Sequence, residues 1–116
     1  MKPFTLGILL VLLVSVAFAA DPSGVWKGTI DGGDGPIDVV YKFKLENGQL
    51  TGTATGPQGE LPISEAKAEG EAFRFTVDTG DARYPHKISA LGDRLNVEVE
   101  LPDGSLVEFV AQKSAS

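Results

Sequence analysis

From Gly24 to Lys113 apolar side chains recur at every second position, and clusters of Gly, Pro, Asn and Asp interrupt that alternation at short intervals. A period of two sends successive side chains to opposite faces of an extended strand, so each run must bury one face and wet the other. No window carries the three-to-four-residue spacing of an amphipathic helix. The expected class is all-β, an antiparallel meander of about eight strands joined by tight turns. Such a meander closes into an up-and-down barrel or remains two packed sheets. Periodicity alone does not separate these, but closure removes both strand edges. A small barrel is therefore the expectation, with a two-sheet β-sandwich as the alternative.

The segments succeed one another plainly. Gly24-Val25-Trp26-Lys27-Gly28-Thr29-Ile30 points Trp26, Gly28 and Ile30 one way, and it ends in the polar loop Asp31-Gly32-Gly33-Asp34-Gly35-Pro36. The next strand sets Ile37, Val39, Tyr41, Phe43 and Leu45 against Asp38, Val40, Lys42, Lys44 and Glu46. Asn47-Gly48 is a two-residue hairpin signal. It leads into Leu50, Gly52 and Ala54, small residues facing the bulky second strand across the interior. Phe73, Phe75 and Val77 form one later inward set, Tyr84, His86, Ile88 and Ala90 another, and Leu95, Val97, Val99 and Leu101 a third. Val107, Phe109 and Ala111 close the series, and the tail Ser114-Ala115-Ser116 is expected to fray. Two places resist assignment. Pro62 and Ser64-Glu65-Ala66-Lys67-Ala68 blur the faces of residues 60–69, where a short helical turn is an alternative. Pro85 predicts an irregular or edge strand.

Ahead of this lies Met1-Lys2, an apolar run from Phe4 to Phe18, and the small-residue exit Ala17-Phe18-Ala19. A charged start, a greasy centre and a small-residue site make residues 1–19 a cleavable signal peptide, with cleavage after Ala20 as the neighbouring option. The alternative is a retained membrane anchor, since the run is only a little short of the ~20 residues that span a bilayer, but the Ala17-Phe18-Ala19 site favours cleavage. Export to the periplasm or beyond would permit disulfides, yet the chain has 0 cysteines, which also excludes a lipid-modified cysteine anchor. Residues 20–116 are then one domain with room for one core. The net charge is −6, and loss of Lys2 leaves nine basic against sixteen acidic residues, or −7. With no basic stripe to neutralise phosphates, nucleic acid and anionic membrane surfaces are unsuited partners. A soluble monomer is expected.

Gly24-Val25-Trp26 at the head of the first strand resembles the Gly-x-Trp signature of the calycins, the superfamily of lipocalin and fatty-acid-binding barrels. In that family the tryptophan closes one end of the barrel, and a basic residue of the last strand lies over its ring. The resemblance assigns those roles to Gly24, Trp26 and Lys113, although the family usually has Arg where Lys113 stands. Ser23-Gly24-Val25-Trp26-Lys27-Gly28, Leu50-Thr51-Gly52-Thr53 and Gly56-Pro57-Gln58-Gly59-Glu60 are similar to small secreted bacterial lipocalin-like proteins of unassigned function. The chain is shorter than typical lipocalins and has no counterpart of their Thr-Asp-Tyr-like motif, which argues against a roomy cavity.

Catalytic chemistry finds little support. His86 is the one histidine, and no serine lies in a Gly-x-Ser-x-Gly context that would make it a nucleophile. One histidine without cysteine makes no ordinary zinc site. Asp31, Asp34 and Asp38 lack the alternate spacing of an EF-hand loop, and the glycine loop lacks the Gly-Lys-Ser/Thr of a phosphate loop. Glu98 and Glu100 share a face, at about the separation a retaining glycosidase uses, but they alternate with Val97 and Val99 and so belong outside. No enzyme, metal or cofactor is expected. The expectation is an exported barrel that binds a small apolar or amphipathic molecule in a lumen lined by Tyr41, Phe43, Phe73, Phe75, Tyr84, His86, Val97 and Phe109. The alternative is a protein-interaction or inhibitor-like module with a filled core, acting on an extracytoplasmic protein.

Overall fold

In the computed structural model, residues 20–31 and 35–114 are described. The signal peptide read at 1–19, the loop residues Gly32, Gly33 and Asp34, and the end of the tail at Ala115 and Ser116 lie outside them. Eight strands run in order: β1 (Gly24–Asp31), β2 (Pro36–Glu46), β3 (Gln49–Gly56), β4 (Gly59–Glu69), β5 (Ala72–Asp78), β6 (Arg83–Leu91), β7 (Arg94–Glu100) and β8 (Leu106–Lys113). Each pairs antiparallel with the next, and β8 returns to β1, so the sheet is a closed up-and-down barrel and not a sandwich.

The two-residue alternation becomes an inside and an outside. Trp26, Tyr41, Phe43, Leu50, Phe73, Phe75, Val77, Ile88, Leu95, Val97, Val99 and Ala111 are buried in one cluster. Glu100 is exposed beside buried Val99, and Glu98, the other carboxylate of that pair, is half-buried on the same outer face. The turns use residues that tolerate positive φ, as Asn47 (53°) and Gly48 (79°) do between β2 and β3.

β4 departs from the alternation for a definite reason. Its register with β5 runs Ile63↔Val77 and Ser64↔Thr76, then resumes one residue out of step at Lys67↔Arg74. Glu65 stands at the break with a left-handed φ of 55°. This is a β-bulge, which inserts one extra residue and flips the phase of the strand beyond it. Leu61 and Ile63 therefore pack on the core before it and Ala66 after it. The helical turn considered for this stretch is replaced by a strand. Arg83 reaches across to Glu65 (2.5 Å) and Asp78 (3.5 Å), holding the bulge against β6. Pro85 is not on an edge either. It pairs with Thr76 on β5, while the ladder to β7 begins one residue later at His86↔Val99.

One end of the barrel is stoppered. Trp26 is 1% exposed. Its indole N–H donates to the Pro22 carbonyl at 2.8 Å, and the Lys113 ammonium lies 5.5 Å from the ring centroid. The segment before β1 folds under the indole: Pro22 is buried, and the Ser23 hydroxyl accepts from the Leu45 amide at 2.9 Å. Ser114 does not fray, since its amide donates to Val25 at 2.7 Å.

Closure between β1 and β8 is short, with two residue pairs, Trp26↔Lys113 and Lys27↔Gln112. Beyond them the Phe109 ring lies over Gly28, where a Cβ would come within 2.9 Å of the ring edge and 3.2 Å of the Ala111 Cα. Gly28 thus gives Phe109 the room to cover the seam.

Gly52 meets the other close approach. A Cβ there would lie 2.0 Å from the Lys42 carbonyl oxygen, a backbone atom that cannot swing away. We expect Gly52→Ala to cost about 2 kcal/mol or more. Gly56→Ala, with nothing within 4 Å of the new methyl, serves as the control. Urea denaturation of both variants checks this, and equal midpoints would contradict the register at Gly52.

Candidate functional site

Opposite the Trp26 end, the barrel is hollow. A cavity of about 590 Å³ opens between the β1–β2, β3–β4, β5–β6 and β7–β8 connections. Its walls are the outer ends of the inward sets, including Ile30, Ile37, Val39, Ala54, Leu61, Val77, Val99, Leu101 and Val107. These are aliphatic, valines, isoleucines and leucines with one alanine, whereas the stoppered half holds Trp26, Leu50, Phe73 and Leu95. Side-chain volume, not a change of alternation, decides which half is filled.

An aromatic layer separates the two halves. Tyr41 stacks on Phe43 with ring centroids 5.6 Å apart, and Phe75 stacks on the His86 imidazole at 4.8 Å. Phe109 lies parallel to Tyr41 at 6.4 Å. Within this layer Tyr41 and His86 also border the cavity. The His86 Nε2 lies 3.2 Å from the Tyr41 hydroxyl, and its Nδ1 lies 2.8 Å from the Tyr84 carbonyl. β6 brings His86 and Tyr84 to the interior two residues apart. The ring reaches back to its own strand with one nitrogen and across the lumen to β2 with the other.

The eight residues expected to line the lumen therefore divide. Tyr41, Tyr84 and His86 border the cavity. Phe43, Phe75 and Phe109 belong to the aromatic layer, and Phe73 and Val97 pack in the filled half. The rim residues Pro57, Gln58 and Thr79 border the cavity as well, and they carry no sequence signal beyond being turn residues. The alternation placed most of the aliphatic wall indoors but did not say that this end stays open.

Burial sets the electrostatics. It pushes the Tyr41 phenol up, and it holds His86 down at about 4 against the pull of its bond to the Tyr84 carbonyl. His86 is therefore neutral at ordinary pH. None of the described residues bordering the cavity is Lys or Arg, and Asp31 sits among them. The sequence Gly32-Gly33-Asp34 between β1 and β2 has no basic residue to add. Among the described residues no group of three or more His, Cys, Asp or Glu converges as metal ligands. Asp38 is exposed and accepts from the Thr29 hydroxyl at 3.2 Å. Asp34, the third acid weighed for calcium, lies outside the described residues.

Comparison with family models, curated proteins and solved structures finds no match to this chain. The cavity is thus interpreted from its own geometry.

The depressed His86 predicts a dependence of stability on pH. Between about pH 6.5 and pH 4 the unfolded chain binds a proton that the folded barrel refuses, so stability falls as pH falls through that window and is flat above it. The difference between pH 7 and pH 5 should be about 2 kcal/mol. Urea titrations at the two values measure it, and His86→Phe should remove most of the difference.

Proposed function

We propose that the protein is an exported, non-enzymatic carrier that takes a small apolar or amphipathic molecule into the open end of its barrel. The observation that carries this reading is the cavity of about 590 Å³, with aliphatic walls and a polar pair at its floor. Ligand sites are usually of this kind, concave and apolar with a few placed polar groups, and cavities of roughly 300–1,000 Å³ hold small organic molecules. The stoppered end supports the same reading, because a tube closed below and open above holds what enters it. A calycin-type, lipocalin-like relationship is part of the proposal. It rests on Gly24-Val25-Trp26 and on the Lys113 ammonium over the indole. Export rests on residues 1–19, with the mature chain beginning at Ala20 or Asp21.

The competing reading, a protein-interaction or inhibitor-like module with a filled core, would place its binding surface outside. The described large apolar residues left exposed are Leu91, Leu106 and Val110. Leu106 and Val110 share the outer face of β8, a small patch beside the open end. The hollow half favours the carrier.

Native mass spectrometry of the protein purified from its own host tests both claims. We expect a mature chain lacking residues 1–19 or 1–20, with an added small-molecule mass that disappears on mild activation. Ala54→Phe, which puts a ring into the open end, should lose the added mass and keep the fold. A bare chain in repeated preparations would refute the carrier, and a full-length mass would refute signal cleavage.

A further inference from the structure

The hydrogen bonds at the cavity floor leave no freedom in where their protons sit. A backbone carbonyl only accepts, so the His86 Nδ1, 2.8 Å from the Tyr84 oxygen, carries the imidazole proton. Burial keeps the ring neutral, which leaves Nε2 as a bare acceptor. Its partner at 3.2 Å, the Tyr41 hydroxyl, must then be the donor. A phenol has one proton, and this one is spent on Nε2. What the pair turns toward the cavity is an oxygen with unused lone pairs and no hydrogen to give. The Thr79 hydroxyl at the rim is also spent, donating to the Ala82 carbonyl at 3.2 Å.

We infer that the ligand is a neutral amphiphile whose polar head is a hydrogen-bond donor, a hydroxyl or an N–H, seated on the Tyr41 oxygen with its apolar body along Ile37, Val39, Leu61 and Val77. This rests on the carrier reading above and narrows it to a ligand class. A carboxylate head would bring negative charge against oxygen lone pairs, with no Lys or Arg among the described residues bordering the cavity to meet it. A ketone or ester head in the same seat would set acceptor against acceptor, the donors of Thr55, Gln58 and Tyr84 lying elsewhere on the wall and rim. An alcohol or amide completes a chain running from ligand to Tyr41 to His86 to the Tyr84 carbonyl, each group donating to the next.

The test uses three probes of matched length, 1-decanol, 2-decanone and decanoate, titrated calorimetrically into the mature protein at pH 7. Decanol should bind about tenfold more tightly than the ketone, the value of one hydrogen bond, and decanoate more weakly than either. His86→Phe keeps a ring on Phe75 but frees the Tyr41 proton to turn into the cavity. In that variant the ketone should gain and the alcohol preference should vanish, a change of ratio that a loosened fold would not give. Tyr41→Phe exposes the bare Nε2 instead, so the floor remains acceptor-only and the alcohol preference should persist. Because the sequence has one histidine, long-range nitrogen NMR reads its tautomer directly in the unmodified protein. A proton on Nε2 would overturn the inference. Equal binding of alcohol and ketone, or preferred binding of decanoate, would overturn it and leave the carrier standing, whereas no binding of any probe would count against the carrier itself.

Discussion

Closure of β8 on β1 is the contact on which the remaining structure depends. The pairs Trp26↔Lys113 and Lys27↔Gln112 turn a meander into a cylinder, and only a cylinder gives every inward side chain the same enclosed space. Around this short ladder the chain concentrates its special arrangements. The indole bonds to Pro22, the ammonium lies over the indole, and Gly28 yields to Phe109. Backbone pairing closes the lower part of the seam, and an aromatic ring covers the part above it.

Inside the cylinder, the cavity is a matter of how volume is distributed. The same alternation runs through both halves, but one is filled by Trp26, Leu50, Phe73 and Leu95, while the other is walled by valines, isoleucines, leucines and an alanine. An eight-stranded interior can be filled by side chains or hold one small molecule, and at this end space remains. The aromatic layer between the halves does two things. It is the lid of the filled core and the floor of the cavity, and it holds the two polar groups whose hydrogen bonds face inward.

Much of this was legible in the sequence. Strand number, the inward sets, and the burial of Trp26 derive from a period of two and from turn chemistry at Asn47-Gly48, Gly70-Glu71 and Gly92-Asp93. Barrel closure was favoured by an argument about edges and by the resemblance carried by Gly24-Val25-Trp26, not by the alternation itself. What the pattern could not convey was registration across the lumen. His86 and Tyr41 are 45 residues apart, and no local rule places them 3.2 Å from each other. The bulge at Glu65 was hidden for the opposite reason. It is local, but its sign is a broken alternation, which reads equally well as a helical turn. A lumen was expected, but its aliphatic wall was not among the residues chosen for it, because residues such as Val39 and Val99 look in sequence like ordinary core.

Strand order around the barrel is the same as strand order along the chain, and the first and last strands are neighbours. The linear chain is thus a ring cut at one of the eight joints between neighbouring strands. A short linker from Ser114 back to Asp21, which keeps Pro22 under the indole, with new termini opened at an exposed turn such as Gly92-Asp93, would give a circular permutant with every ladder intact. Moving the cut to a rim turn such as Pro57-Gln58 would instead put a chain terminus at the cavity mouth, where a fused reporter would lie within reach of whatever enters.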